Sequence, residues 1–150
     1  MSIKLSTGLR NGLLDTNDFK TALDGGFLYI YDGTPPADAD AANSGNTLLC
    51  TISVDGLGVT GLGFDTAAAS GVLSKDPAET WQGTNAATGT ATFFRWTESG
   101  GTPAGASTTE QRIQGTVGVA GADLNLSSVS LTISAVQTID FFNVSLPAQA

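Results

Sequence analysis

The chain contains no histidine, a single cysteine, and only six lysines and arginines among its 150 residues. Each scarcity closes off a class of function. Without histidine, the commonest general base and the commonest transition-metal ligand are missing. A lone Cys50 cannot form a disulfide within the chain, and its place in TLLCTIS assigns it to the apolar side of a strand as a small buried hydrophobe. The few cations are not clustered. Against fourteen acidic residues they leave a net charge of −8, which repels a phosphate backbone and argues against nucleic-acid binding. No apolar run reaches the ~18 residues a membrane span requires, and no basic segment followed by an apolar stretch opens the chain. The expectation is a protein made in the cytosol, neither exported by a standard signal nor anchored in a membrane.

Charged residues amount to only 13% of the chain, while glycine, alanine, serine and threonine are abundant. That composition is turn-rich and β-prone. A chain of this length is one domain that buries roughly 68–70% of its unfolded surface, so it needs no metal, cofactor or disulfide to fold. The exception to the β character is the front. In LSTGLRNGLLDTNDFKTALDGG, Ser6 or Thr7 can cap a helix through Leu9, Leu13 and Leu14. Thr16 or Asn17 can cap a second through Phe19, Ala22 and Leu23, ended by Gly25 and Gly26. Neither is long enough to stand alone. The reading is therefore a helical hook over residues 1–26 attached to a β-domain over 27–150, one structural domain in all. The hook packs across an open end of the β-core or docks on a neighbouring subunit.

Strand signals follow at FLYIY (27–31) and at TLLCTISV, where Leu48, Cys50, Ile52 and Val54 alternate inward. They continue at GVLS (71–74), ETWQGT (79–84), TATFFRWTE (90–98) and RIQGTVGV (112–119), the last with Ile113, Val117 and Val119 on one side. SVSLTIS (128–134), with Val129, Leu131 and Ile133 aligned, and AVQTIDFFNVSL (135–146) close the set. Seven to nine short strands between glycine-rich turns predict an all-β antiparallel sandwich or jelly roll with a short N-terminal helical segment. ESGGTPAGASTTEQ (98–111) reads as a flexible surface excursion. Two strands carry adjacent phenylalanines, Phe93/Phe94 and Phe141/Phe142, and a strand sends neighbours to opposite faces. One of each pair must then meet the hook, a long loop or another chain.

No catalytic constellation emerges, and an enzyme is not expected. The three glutamates, Glu79, Glu98 and Glu110, sit at strand ends or in loops with no motif around them. The serines have no histidine partner, and GLGVTGLG lacks the context of a phosphate loop. In DADAANSGN the calcium-loop spacing fails, leaving Asp38, Asp40 and Asn43 as turn residues that could ligate a cation only in another geometry. Trp81 and Trp96 are core or interface anchors before they are a sugar-stacking platform.

The stretches KLSTGLRNGLL, GGFLYIYDGTPPADADAA, GVLSKDPAETWQGTNAATGTATFFRW and RIQGTVGVAGADLNL resemble a family of small tailed-bacteriophage and prophage proteins. The resemblance implies a structural component of the virion, assembled in the bacterial host cytoplasm. Within the virion, the reading is a capsid cement or decoration protein whose partner is the major capsid protein. The alternatives are a head–tail connector, a tail, baseplate or fibre-base protein, and, from another class, a carbohydrate-binding adhesion module. The interface residues expected are Leu9, Leu13, Leu14 and Phe19 on the hook, Trp96, and Phe93, Phe94, Phe141 and Phe142, whose surplus faces build a homo-oligomer contact. If the hook docks outward, removing residues 1–24 leaves a folded domain that attaches poorly.

Overall fold

The computed structural model describes residues 3–146 and 148, so the extreme ends of both predicted segments lie outside the described residues. Strand β1 (Lys4–Leu5) is followed by helices α1 (Thr7–Asp15) and α2 (Phe19–Leu23) and by strands β2 (Phe27–Tyr31), β3 (Leu48–Ile52) and β4 (Val72–Ser74). Then come β5 (Trp81–Thr84), β6 (Gly89–Thr90), β7 (Phe93–Thr97) and β8 (Arg112–Gly118). The last four are β9 (Leu124–Asn125), β10 (Ser130–Leu131), β11 (Val136–Ile139) and β12 (Asn143–Ser145).

The fold is all-β and predominantly antiparallel. A main sheet runs β1-β8-β7-β2-β3, with β9 added parallel to β8. Three antiparallel ribbons, β4–β12, β5–β11 and β6–β10, supply the facing layer. Ser53, just past β3, exchanges two hydrogen bonds of 2.9 Å with Gln82 of β5 and stitches the layers at that edge. The two four-stranded sheets of a jelly roll are not seen among the described residues.

Period-two alternation gives the main sheet two buried faces. Leu28, Ile30, Phe94, Trp96, Ile113 and Val117 point to the ribbons and meet Leu73, Trp81, Leu131 and Ile139 in one core. At its centre Trp96 lies edge-on to Trp81 at 5.2 Å and stacked on Phe64 at 5.0 Å. The opposite face carries Tyr31, Phe93, Arg95, Thr97, Arg112 and Gln114, all buried. Two long loops, 32–47 and 98–111, lie over it. Arg95 donates to the main-chain carbonyls of Ala41 (3.1 Å), Pro103 (3.0 Å) and Asp38 (3.3 Å). Arg112 donates to Gly105 O at 2.7 Å and, through Nε, to Glu110 at 2.9 Å. The 98–111 segment is thus pinned down and not the flexible excursion its composition predicts.

Three readings of the strands change. The alternation of TLLCTISV breaks at a register shift opposite Ile30/Tyr31, so that Leu49 and Cys50 are both buried while Leu48 and Val54 are half-buried. Val119 and Ile133 are exposed because β8 ends at Gly118 and the chain leaves β10 after Leu131, turning at Ser134 with φ 70°. AVQTIDFFNVSL is two strands, broken at Asp140–Phe142.

The hook belongs to this same body. Ser6 caps α1, its Oγ accepting from the Leu9 N–H at 3.1 Å, while Asp18, one residue past the predicted Asn17, caps α2 through the Thr21 N–H at 2.6 Å. Asn17 is instead taken up in closing α1, its N–H donating to Gly12 O at 2.7 Å. β1 pairs with β8, and Leu9, Ala22 and Leu23 join the main core. A Cβ on Gly8 would lie 2.2 Å from the Thr109 carbonyl oxygen, which shows how closely α1 rides on the 98–111 loop.

Candidate interaction surface

Five of the nine predicted interface side chains are inside the chain's own interior. Leu9, Phe93, Phe94 and Trp96 expose nothing, and Phe142 is buried. Phe93 and Phe94 do point to opposite faces of β7, but the second face is covered by the protein's own loops and Phe93 stacks on Tyr31 at 5.2 Å. Phe142 is drawn in against Trp96, 5.2 Å between ring centres. Leu13 and Phe19 are half-buried, Phe19 resting against Phe64 at 6.0 Å. Leu14 and Phe141 remain, at 88% and 85% exposure.

The structure adds a feature that sequence reasoning missed. Leu57 and Val59 stand out at 81% and 76% exposure on a loop braced by Asp55. The Asp55 carboxylate accepts from Ser53 Oγ at 2.7 Å and from the amides of Leu57 (3.1 Å) and Val59 (3.3 Å). The Ser53 hydroxyl and these amides bring its pKa down to about 2. Gly56 and Gly58 take positive φ on either side of Leu57. The GLG spacing within GLGVTGLG was the available signal: two glycines bracketing an apolar residue mark a tight turn that pushes a side chain into solvent.

A groove of about 410 Å³ runs between residues 123–127 and residues 138–143. Phe141 stands at it, Leu124, Leu126 and Phe142 form its buried apolar part, and Asp123 and Asp140 also line it. Asp123 accepts from both the amide and the hydroxyl of Thr116 at 2.9 Å, which fixes the turn into β9.

Each cation has a partner within the chain, Arg95 and Arg112 buried and Arg10 at the surface. Lys4 donates to Ala37 O (2.7 Å), Lys20 to Asp65 O (2.7 Å) and Arg10 to Thr7 Oγ1 (2.7 Å), while Lys75 donates to Asp76 O (3.1 Å) and to the Glu79 carbonyl. With Arg95 and Arg112 beneath the loops, each of the six basic side chains is engaged by the chain itself. With fourteen carboxylates to six cations, the surface field is negative on balance.

The groups considered for chemistry have structural partners. Glu79 accepts from Gly63 N–H (2.9 Å) and Trp81 Nε1 (2.7 Å), Glu98 from Gln111, and Glu110 from Arg112. Asp40 grips α1 through the amide (2.8 Å) and hydroxyl (2.5 Å) of Thr7, and Asp38 accepts from the amides of Asp40 and Ala41. Trp81 and Trp96 are fully buried, so neither offers a face to a sugar ring. Cys50 is buried in the core, and burial pushes its thiol up to about 12. Among the described residues no group of three or more His, Cys, Asp or Glu side chains gathers as a metal cluster, and no helix is long and apolar enough to cross a membrane. No protein-family model, curated protein or solved structure matches this chain, and any functional reading rests on its own residues.

Proposed function

We propose that this protein is a structural component of a bacteriophage virion, a cement or decoration protein that adheres to a shell built by another protein. One observation carries the reading: large apolar side chains project from braced positions on a body with a net charge of −8. Leu57 and Val59 are held out by the Asp55 turn, and Phe141 by the break between β11 and β12. Water-facing phenylalanine and leucine at these exposures gain most by burial against a partner, at roughly 25 cal/mol per Å² of apolar surface covered. A rigid scaffold reduces the ordering cost of that association. The acidic exterior suits the outside of a particle better than a nucleic-acid-filled interior. The likeness of KLSTGLRNGLL and the later stretches to phage proteins supplies the setting.

The test is sedimentation of the purified protein with phage particles, followed by counting bound copies by quantitative mass spectrometry. Hundreds of copies per particle indicate the shell, whereas a multiple of three or six below about twenty indicates the tail or connector. Failure to sediment with any particle, intact or expanded, defeats the reading.

A further inference from the structure

The groove between residues 123–127 and 138–143 lies beside two strand edges, of β9 and β11, that have no partner strand among the described residues. On one side, Leu126 N–H donates to the Gly118 carbonyl at 2.8 Å and the register places Asn125 opposite Gly118. In a parallel ladder the residue between two bonded ones turns its own N–H and C=O the other way, so Asn125 offers both groups away from β8. On the other side, Gln82 uses both its main-chain groups on Ser53, which makes Thr138 opposite it a non-bonded pair. The N–H and C=O of Thr138 therefore point away from β5; the C=O accepts from the Gln137 side-chain amide at 2.8 Å, which leaves the N–H open, and the chain leaves the ladder at Asp140. Asn125, Thr138 and Asp140 all line the groove. Asp123 and Asp140 put negative charge along it, and no lysine or arginine lines it.

We propose that this cleft receives an extended, lysine- or arginine-bearing segment of a partner protein as an added β-strand. The inference rests on the adhesive reading above and names the contact through which it works. Main-chain bonds to the two open edges hold the segment, one row of its side chains lies on Leu124, Leu126 and Phe141, and a cation of the other row sits beside Asp140. A second copy of this chain is the wrong occupant, because it brings a net charge of −8 to a cleft lined by Asp123 and Asp140.

The test titrates the full-length protein with labelled six-residue peptides of alternating valine and a variable residue, read by fluorescence anisotropy and by amide chemical shifts. The variable residue is lysine, glutamine or glutamate, and a further lysine peptide is N-methylated at alternate amides. The lysine peptide is expected to bind about tenfold more tightly than the glutamate one, to lose about tenfold on N-methylation, and to shift the amides of Asn125, Thr138 and Asp140. Asp140→Asn weakens it about threefold and Phe141→Ser about tenfold; both sites are exposed, so the core is untouched. Equal binding of the lysine and glutamate peptides, tolerance of N-methylation, or shifts confined elsewhere overturns the proposal. So does concentration-dependent self-association abolished by Phe141→Ser. If wild type coats particles and the Asp140→Asn and Phe141→Ser variants coat them equally, the cleft is refuted and the adhesive role survives. If the peptides bind as described but no particle does, the virion role falls and the cleft stands.

Discussion

Arg95 has no exposed surface; its two terminal nitrogens donate to three main-chain carbonyls and to the Gln114 amide oxygen at 2.6 Å, while its buried Nε has no partner among the described residues. Burial, and then the neighbouring Arg112 charge, draws its pKa below the ordinary arginine value. A guanidinium tolerates such a site because its planar fork addresses several acceptors at once. Arg95→Ala strands those carbonyls and is expected to lower stability by about 3 kcal/mol, with Arg95→Lys recovering little, as a shift of the urea midpoint would show. Asp55 makes a prediction in pH. Its carboxyl is depressed to about 2, so the turn it braces is intact above the ordinary carboxylate value and loosens as pH falls toward 2. The protection of the Leu57 and Val59 amides, their exchange rate relative to the intrinsic rate at each pH, should hold from neutrality to about pH 5 and fall between about pH 4 and pH 2. Protection that is flat across that range would remove Asp55 as the brace.

At the scale of elements, the helical hook is a lid whose underside is core. Leu9 and Leu23 are fully buried, the Trp96 indole donates to Leu23 O at 3.2 Å, and Ser6 Oγ also accepts from the Arg112 N–H at 2.9 Å. The expectation that residues 1–24 can be removed from a folded domain is therefore revised. Truncation uncovers Trp96 and deletes two fully buried leucines, Leu9 and Leu23, each comparable to a core Leu→Ala loss of about 2–5 kcal/mol, against a typical total of about 5–15. The truncated chain should lack dispersed amide resonances; a well-dispersed spectrum would make the hook a detachable arm. Gly8→Ala is the point version. Its methyl meets the Thr109 backbone, so α1 must lift, and a drop of more than 1 kcal/mol in stability is expected, measured by thermal unfolding.

For the whole molecule, two buried cations, Arg95 and Arg112, hold loops to the sheet, and the chain as a whole carries a net charge of −8. A partner that binds this surface must bring positive charge. Attachment to particles should then weaken several-fold between about 50 and 500 mM salt, as the screening length shrinks from above 10 Å to a few Å. Salt-insensitive attachment would mean that the apolar projections alone carry the adhesion, and Phe141→Ser combined with Leu57→Ser should then abolish it.

Composition and pattern decided much of this before any tertiary contact. The missing histidine, the lone cysteine, the acidic balance, the two capped helices and the strand alternation follow from chemistry that acts between near neighbours in the chain. What alternation leaves open is which side of a strand finds cover, because cover comes from distant residues. Phe93 and Phe142 are hidden and Phe141 is not, since loops 32–47 and 98–111 are drawn over one face by Arg95 and Arg112, while the chain bends at Asp140–Phe142. The use of each cation, the splitting of the last long strand and the open edges facing across the groove were likewise settled only by packing, where residues far apart in sequence compete for the same space and the same hydrogen bonds.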